Sequence, residues 1–147
     1  MKIRPGITLV KEIEGHGEPI AKGDRFEAVY KFFYNRGDPI LFDTYWHKPI
    51  PKICEVEGID VIGWEPPQKV QSNVVYYHSG WLERQFGLIV GIYYSMMGMK
   101  TMGYRRVKIA PPFFSDSVYP AIGIKKGSLV VVEIYLLKVD QTVKQKI

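Results

Sequence analysis

Between residues 26 and 34 the chain alternates, with Phe26, Ala28, Tyr30, Phe32 and Tyr34 interleaved with Glu27, Val29, Lys31 and Phe33. A period of two is that of a strand with one face buried, and it predicts a strand over this stretch. Asn35-Arg36-Gly37-Asp38-Pro39 supplies turn residues, after which Ile40-Leu41-Phe42-Asp43 resumes an extended run. Beyond Gly87 the period changes. Ile92, Ser95, Met96 and Met99 are spaced as one face of a short helix. Gly98 and Gly103 break that helix, and a strand from Tyr104 to Ile109 follows. Ala110-Pro111-Pro112 ends it, because proline brings no N–H to a ladder. Phe113 to Lys126 has no period and reads as a long loop. Leu129 to Val139 is almost wholly apolar, as expected of a strand at the centre of a sheet.

The stretch from about Tyr45 to Phe86 fits this plan least well. It holds all three tryptophans, Trp46, Trp64 and Trp81, and the Pro66-Pro67 pair. Val61 to Trp64 and Asn73 to His78 have the character of short strands, expected to form a hairpin through Pro67 to Ser72. Several strands with one short helix predict an α+β domain, mainly an antiparallel sheet, spanning residues 1–147 as one unit.

Composition narrows the function classes. With 46% hydrophobic and 14% aromatic residues, a chain of 147 residues can bury a core, which excludes global disorder. The net charge is +5, but Lys and Arg are spread along the chain, so the balance reads as surface solubility and no nucleic-acid partner is expected. Lys100, Arg105, Arg106 and Lys108 are read as a solvated strand face. Cys54 is the only cysteine, so folding depends on packing instead of disulfides. The early apolar stretch, Ile7 to Val10, is too short for a signal sequence, and no run approaches a membrane span of about 20 apolar residues. A cytoplasmic protein without a membrane partner is the expectation. His16, His47 and His78 are scattered, with no carboxylate cluster nearby, so neither a metal nor another cofactor is expected.

Four segments, in order, resemble the FK506-binding-protein (FKBP) family of peptidyl-prolyl cis-trans isomerases. Lys22-Gly23-Asp24 with Glu27-Ala28-Val29-Tyr30 is similar to the family's opening strand, and Phe42-Asp43 to its Phe-Asp pair. Gly87-Leu88-Ile89-Val90-Gly91, Met97-Gly98-Met99-Lys100 and Gly103 to Pro112 resemble its helix region and the Pro-Pro-terminated strand after it. Gly127 to Ile134 resembles its closing strand. A single pair such as Phe-Asp carries no information; four matches in sequence order are specific for a fold.

The resemblance implies an antiparallel sheet wrapped around a short helix, with an apolar pocket between them and residues of about 45–86 as an insertion. It implies an isomerase of X–Pro bonds that serves protein folding, acts on proline-containing peptides or unfolded segments, and binds FK506-like macrolides weakly. Tyr30 and Asp43 take the catalytic positions: the tyrosine lines the pocket and offers its hydroxyl, and Asp43 sits beside the substrate carbonyl and orders that hydroxyl. Phe42, Leu88, Ile89, Ile92, Phe113, Ile122 and Val131 fall on substrate-binding positions, with Tyr119 standing in for a loop tyrosine.

Three positions depart from the family. Ile92 occupies the place of a tryptophan floor, Val131 that of a phenylalanine, and Ser115 that of the loop tyrosine, with Asp116 in place of a glycine. These changes imply a wider, shallower pocket. The competing reading is a binding or chaperone module of the same fold, with reduced or no activity, working through the Trp- and Tyr-rich insertion. Read without the family, Tyr30 and Phe42 are core aromatics on one sheet face, and Asp43 a turn or capping residue.

Overall fold

The computed structural model describes residues 2–34, 44–46, 50–66, 68–70, 74–83, 90–111, 125 and 127–140, of which 2, 44–46, 68–70 and 74–77 are described by backbone alone. Ten strands and one helix run in the order β1 (Lys2–Arg4), β2 (Ile7–Ile13), β3 (Arg25–Tyr34), β4 (Thr44–Trp46), β5 (Ile50–Val56), β6 (Ile59–Glu65), β7 (Gln68–Val70), β8 (Val74–Trp81), α1 (Val90–Met96), β9 (Gly103–Ile109) and β10 (Val130–Asp140) among the described residues. Six strands form an antiparallel sheet in the order β1-β2-β9-β10-β3-β8. β4 pairs with β7, and β5 with β6.

The alternation in β3 decides its two faces. Phe26, Ala28, Tyr30 and Phe32 enter one core with Val107 and Ile109 of β9 and Val130, Val132, Ile134 and Leu136 of β10. Helix α1 closes this core with Ile92, Tyr93 and Met96. Ile92 and Met96 are fully buried, and burying side chains of this size contributes about 1.5–3 kcal/mol each. β10 lies between β9 and β3, the central place that its apolar run predicts. It is buried on both faces from Val130 to Leu136.

The helix is held in place at its C-terminal end. Gly98 adopts a left-handed conformation (φ 83°), which ends the helix, while Met99 N donates to Met96 O. Arg105 of β9 donates from Nη1 to Ser95 O at 2.8 Å and Met97 O at 2.9 Å, satisfying carbonyls that a helix end leaves orphaned. Its Nε donates to Glu12 Oε2 at 2.6 Å, and Lys100 pairs with Glu14 at 2.8 Å. These two cations therefore tie β2, α1 and β9 together instead of forming a merely solvated strand face. Gly15 permits the close approach of this segment, since a Cβ there would sit 2.2 Å from Thr101 O.

The Lys22-Gly23-Asp24 motif has a structural explanation. Buried Asp24 accepts from Ala21 N through Oδ2 at 2.9 Å, and Gly23 N donates to Leu82 O while Leu82 N donates to Asp24 O. The motif thus joins the start of β3 to the residue that follows β8.

The other sheet face carries a second core, in which Val29, Tyr104 and Tyr135 meet Ile50 with Ile53 and Ile62 of the β5–β6 hairpin. This corrects the expected pairing of Val61–Trp64 with Asn73–His78. β6 turns back on β5 through Glu57 and Gly58, both with positive φ (52° and 79°), a two-residue turn whose twist suits a hairpin. β8 pairs instead with β3 in the main sheet. Within the stretch 45–86, β8 therefore belongs to the six-stranded sheet, whereas β4, β5, β6 and β7 form the two small sheets. The turn at 35–39, the extended run at 40–43 and most of the loop at 113–126 lie outside the described residues.

Candidate functional site

Of the sequence-predicted site residues, Tyr30, Ile92 and Val131 are described; Phe42, Asp43, Leu88, Ile89, Phe113, Tyr119 and Ile122 lie outside the described residues, as do Ser115 and Asp116. Tyr30 and Ile92 belong to the same core, one presented by β3 and the other by α1. Tyr30 is only 3% exposed. Its ring stands edge-on to Phe32, at 6.5 Å between centroids.

Val131 does not join them. Along β10 the residues facing the helix are Val130, Val132, Ile134 and Leu136, and a period of two sends Val131 to the opposite face with Glu133 and Tyr135. Val132, paired with Phe32, occupies the helix-facing position that the resemblance assigned to Val131. Three consecutive valines hide the register, because each satisfies the apolar pattern equally.

A polar partner of Tyr30 among the described residues is one to which the sequence assigns no role. His78 of β8 places Nδ1 2.9 Å from the Tyr30 hydroxyl, and the hydroxyl donates to Met96 Sδ at 3.6 Å. Strand register explains the meeting: Ala28 lies opposite His78, so His78 and Tyr30 are diagonal neighbours on paired strands. Phe26 packs edge-on against the imidazole, with centroids 5.0 Å apart and planes at 86°. Burial holds His78 below the ordinary imidazole value, so it is uncharged at neutral pH. Among the described residues, the arrangement is one hydroxyl beside an imidazole nitrogen, set among the apolar side chains of the core between sheet and helix. That combination suits orienting a carbonyl in a water-poor environment.

On the opposite face, Glu133 gathers a different polar group. Its Oε2 accepts from the Tyr104 hydroxyl and lies 3.5 Å from Arg106 Nη1, while Lys31 sits directly across the strand pair. Burial lowers the Lys31 amine, opposed by the Glu133 carboxylate. Tyr104 and Tyr135 are both held well above the usual tyrosine value, by burial first and then by Glu133. This network lies beside the hairpin-covered core and away from Tyr30's face. A cleft of about 180 Å³ opens elsewhere, lined by Glu12, Glu14, Met99, Lys100, Gly103 and Arg105 among others; neither Tyr30 nor Ile92 lines it. Its charges are engaged in the Lys100–Glu14 and Arg105–Glu12 pairs.

No family model and no curated protein matches the chain. Among solved structures it is similar to FkpA from Escherichia coli, with a TM-score of 0.50 and 17% sequence identity over 91% of this chain and 47% of that one. The chain thus spans about half the length of FkpA. At this identity the likeness speaks to the fold: a mostly antiparallel, curled sheet with one short helix, consistent with an FKBP-like fold.

Proposed function

We propose that this chain is a peptidyl-prolyl cis-trans isomerase that accelerates X–Pro rotation in peptides and unfolded protein segments. The observation that carries this reading is the Tyr30 hydroxyl, set among apolar side chains between β3 and α1 in a chain with FKBP-like segments in order. Rotation about X–Pro takes tens to hundreds of seconds unaided, because it breaks amide resonance with a barrier of about 18–20 kcal/mol. The twisted amide is less charge-separated than the planar one, so an apolar wall favours it over the ground state. Catalysis is then differential binding, with no covalent step. Tyr30 holds the peptide carbonyl, Ile92 supplies the floor, and Phe42, Asp43, Leu88, Ile89, Phe113, Tyr119 and Ile122 complete the proposed site by resemblance.

A net hydrogen bond of about 0.5–1.5 kcal/mol corresponds to roughly two- to tenfold in rate. Tyr30→Phe is therefore expected to lower kcat/KM for a short X–Pro peptide by that factor, measured without a coupling protease. An unchanged kcat/KM in a folded variant would remove Tyr30 from the catalytic role.

A second reading is favoured by the β5–β6 hairpin. Val56 and Ile59, cross-strand partners beside its turn, are 54% and 66% exposed, and Trp64 is 45% exposed. Exposed apolar side chains on one hairpin are suited to holding unfolded chains. Val56→Lys with Ile59→Lys is expected to weaken suppression of aggregation of a chemically denatured client severalfold while leaving peptide isomerisation intact. Equal suppression by the double variant would rule the hairpin out as the holding surface.

A further inference from the structure

We infer that the tip of the β5–β6 hairpin selects cationic, apolar segments of unfolded chains, those that carry Lys or Arg beside large apolar residues; this rests on the holding reading above. Strand register sets the receiving face. Val56 lies opposite Ile59 and Cys54 opposite Val61, so all four share one face of the hairpin. Val56, Ile59 and Val61 are exposed there. The same tip is acidic. Glu55, Glu57 and Asp60 fall within six residues and no Lys or Arg lies among them, in a chain whose net charge is +5. Lys11 engages Asp60 at 2.5 Å, which leaves Glu55 and Glu57 exposed and without an ion pair among the described residues. At the hairpin base, by contrast, Lys52 balances Glu65 at 3.5 Å. Glu55 and Glu57 flank Val56 in the chain, close enough that screening, over about 8 Å at physiological salt, leaves much of their field at the apolar face.

Two local costs are concentrated at this tip, and each is removed by losing a carboxylate. Glu55 stands directly opposite Asp60, and like charges facing each other weaken an antiparallel pair. Glu57 has a φ of 52°, in the left-handed region that Asn or Gly enters more readily. Folding alone is served better by an amide at 55 and an asparagine at 57. Local rules broken together at an exposed apolar tip mark a functional surface. The charge also decides between occupants. A second copy presenting the same face would bring Glu55 and Glu57 against their equivalents, which opposes self-pairing. A segment with Lys or Arg brings counter-charges to both carboxylates while its apolar side chains cover Val56, Ile59 and Val61.

The test uses the full chain and three short labelled peptides of equal leucine content, with Lys, Ser or Glu between the leucines. Fluorescence anisotropy at low salt should give a Kd for the lysine peptide about fivefold below that for the serine peptide, with the glutamate peptide weakest. High salt should erase that order. Glu55→Gln with Glu57→Asn relieves both local costs, so this variant should fold with a thermal midpoint no lower than that of wild type. It should lose the preference for lysine and bind the serine peptide as before. Equal binding of the lysine and glutamate peptides by the wild type would overturn the charge selection and leave the holding role standing. A preference that survives in the folded double variant would overturn its assignment to the hairpin tip. If no peptide binds and aggregation of a denatured client is not suppressed, the holding reading falls and the selection falls with it. A dimer that Val56→Lys with Ile59→Lys dissolves would give the face to a second copy and overturn the inference.

Discussion

Replacing Glu133 with alanine is expected to destabilise the fold by about 3–5 kcal/mol, the range for removing one partner from a buried charged network. Glu133 is mostly buried in the middle of the central strand, on the face turned away from the helix. It accepts from the Tyr104 hydroxyl, approaches Arg106 at 3.5 Å and lies across from Lys31, itself buried. Removing the carboxylate leaves a phenol without its acceptor and takes from the Lys31 ammonium the carboxylate that supports its charge most. Arg106 is better solvated and loses less. Glu133→Gln keeps an acceptor for Tyr104 but not the charge, and should fall between wild type and the alanine variant. Urea unfolding near pH 7 reads both changes as midpoint shifts at constant m-value. A loss below about 1 kcal/mol for the alanine variant would show that water replaces the carboxylate, and that this face is open.

The second large effect is alkaline destabilisation. Tyr104 and Tyr135 are almost fully buried and stay protonated in the fold far above the usual tyrosine value, through burial first and the Glu133 carboxylate second. In the unfolded chain both ionise near pH 10. Above that pH the folded state binds more protons than the unfolded state, so stability falls as pH rises. Each tyrosine contributes a slope of about 1.4 kcal/mol per pH unit, and the pair roughly twice that. Lys31 acts in the other sense. Its folded value is lowered by burial, so below about pH 10.5 the unfolded chain holds the extra proton and stability rises with pH until lysine is deprotonated in both states. Stability is therefore expected to turn over near pH 10 and then drop steeply. Unfolding free energies measured in steps from pH 8 to 11.5 should show about half the descending slope for Tyr104→Phe. Equal slopes would mean that these tyrosines ionise within the fold.

Both effects bear on function because the same outer face carries the hairpin. Val29, Tyr104 and Tyr135 pack against Ile50, Ile53 and Ile62, and Lys11 pairs with Asp60 at 2.5 Å. The hairpin that exposes Val56 and Ile59 is thus seated on the sheet by a core that borders the Glu133 network.

What could be read from the sequence follows from how local each signal is. The alternation of β3, the apolar face of α1 and the long run of β10 are set within a few residues, and they place Tyr30 and Ile92 in one core. The β5–β6 hairpin is hidden in the sequence although Val56-Glu57-Gly58-Ile59 carries its turn, because a left-handed glutamate is not a residue that announces itself. The pairing of β8 with β3 joins segments 48 residues apart at Tyr30 and His78, and no local pattern encodes it. For the same reason His78 reads in the sequence as one of three scattered histidines. Glu133 was the visible anomaly, a carboxylate in an otherwise apolar strand, and its partners Lys31, Tyr104 and Arg106 emerge only once three strands align.

The most direct test of the central claim is a protease-free measurement of cis–trans exchange in a short X–Pro peptide, by NMR line shape or exchange spectroscopy, with wild type and Tyr30→Phe compared at matched concentration. Acceleration by the wild type, reduced roughly two- to tenfold in a folded Tyr30→Phe variant, is the predicted result. A wild type that leaves the exchange rate at its uncatalysed value, both in the peptide and in a proline-limited refolding protein, would contradict the isomerase assignment and leave the hairpin-based holding role as the better account.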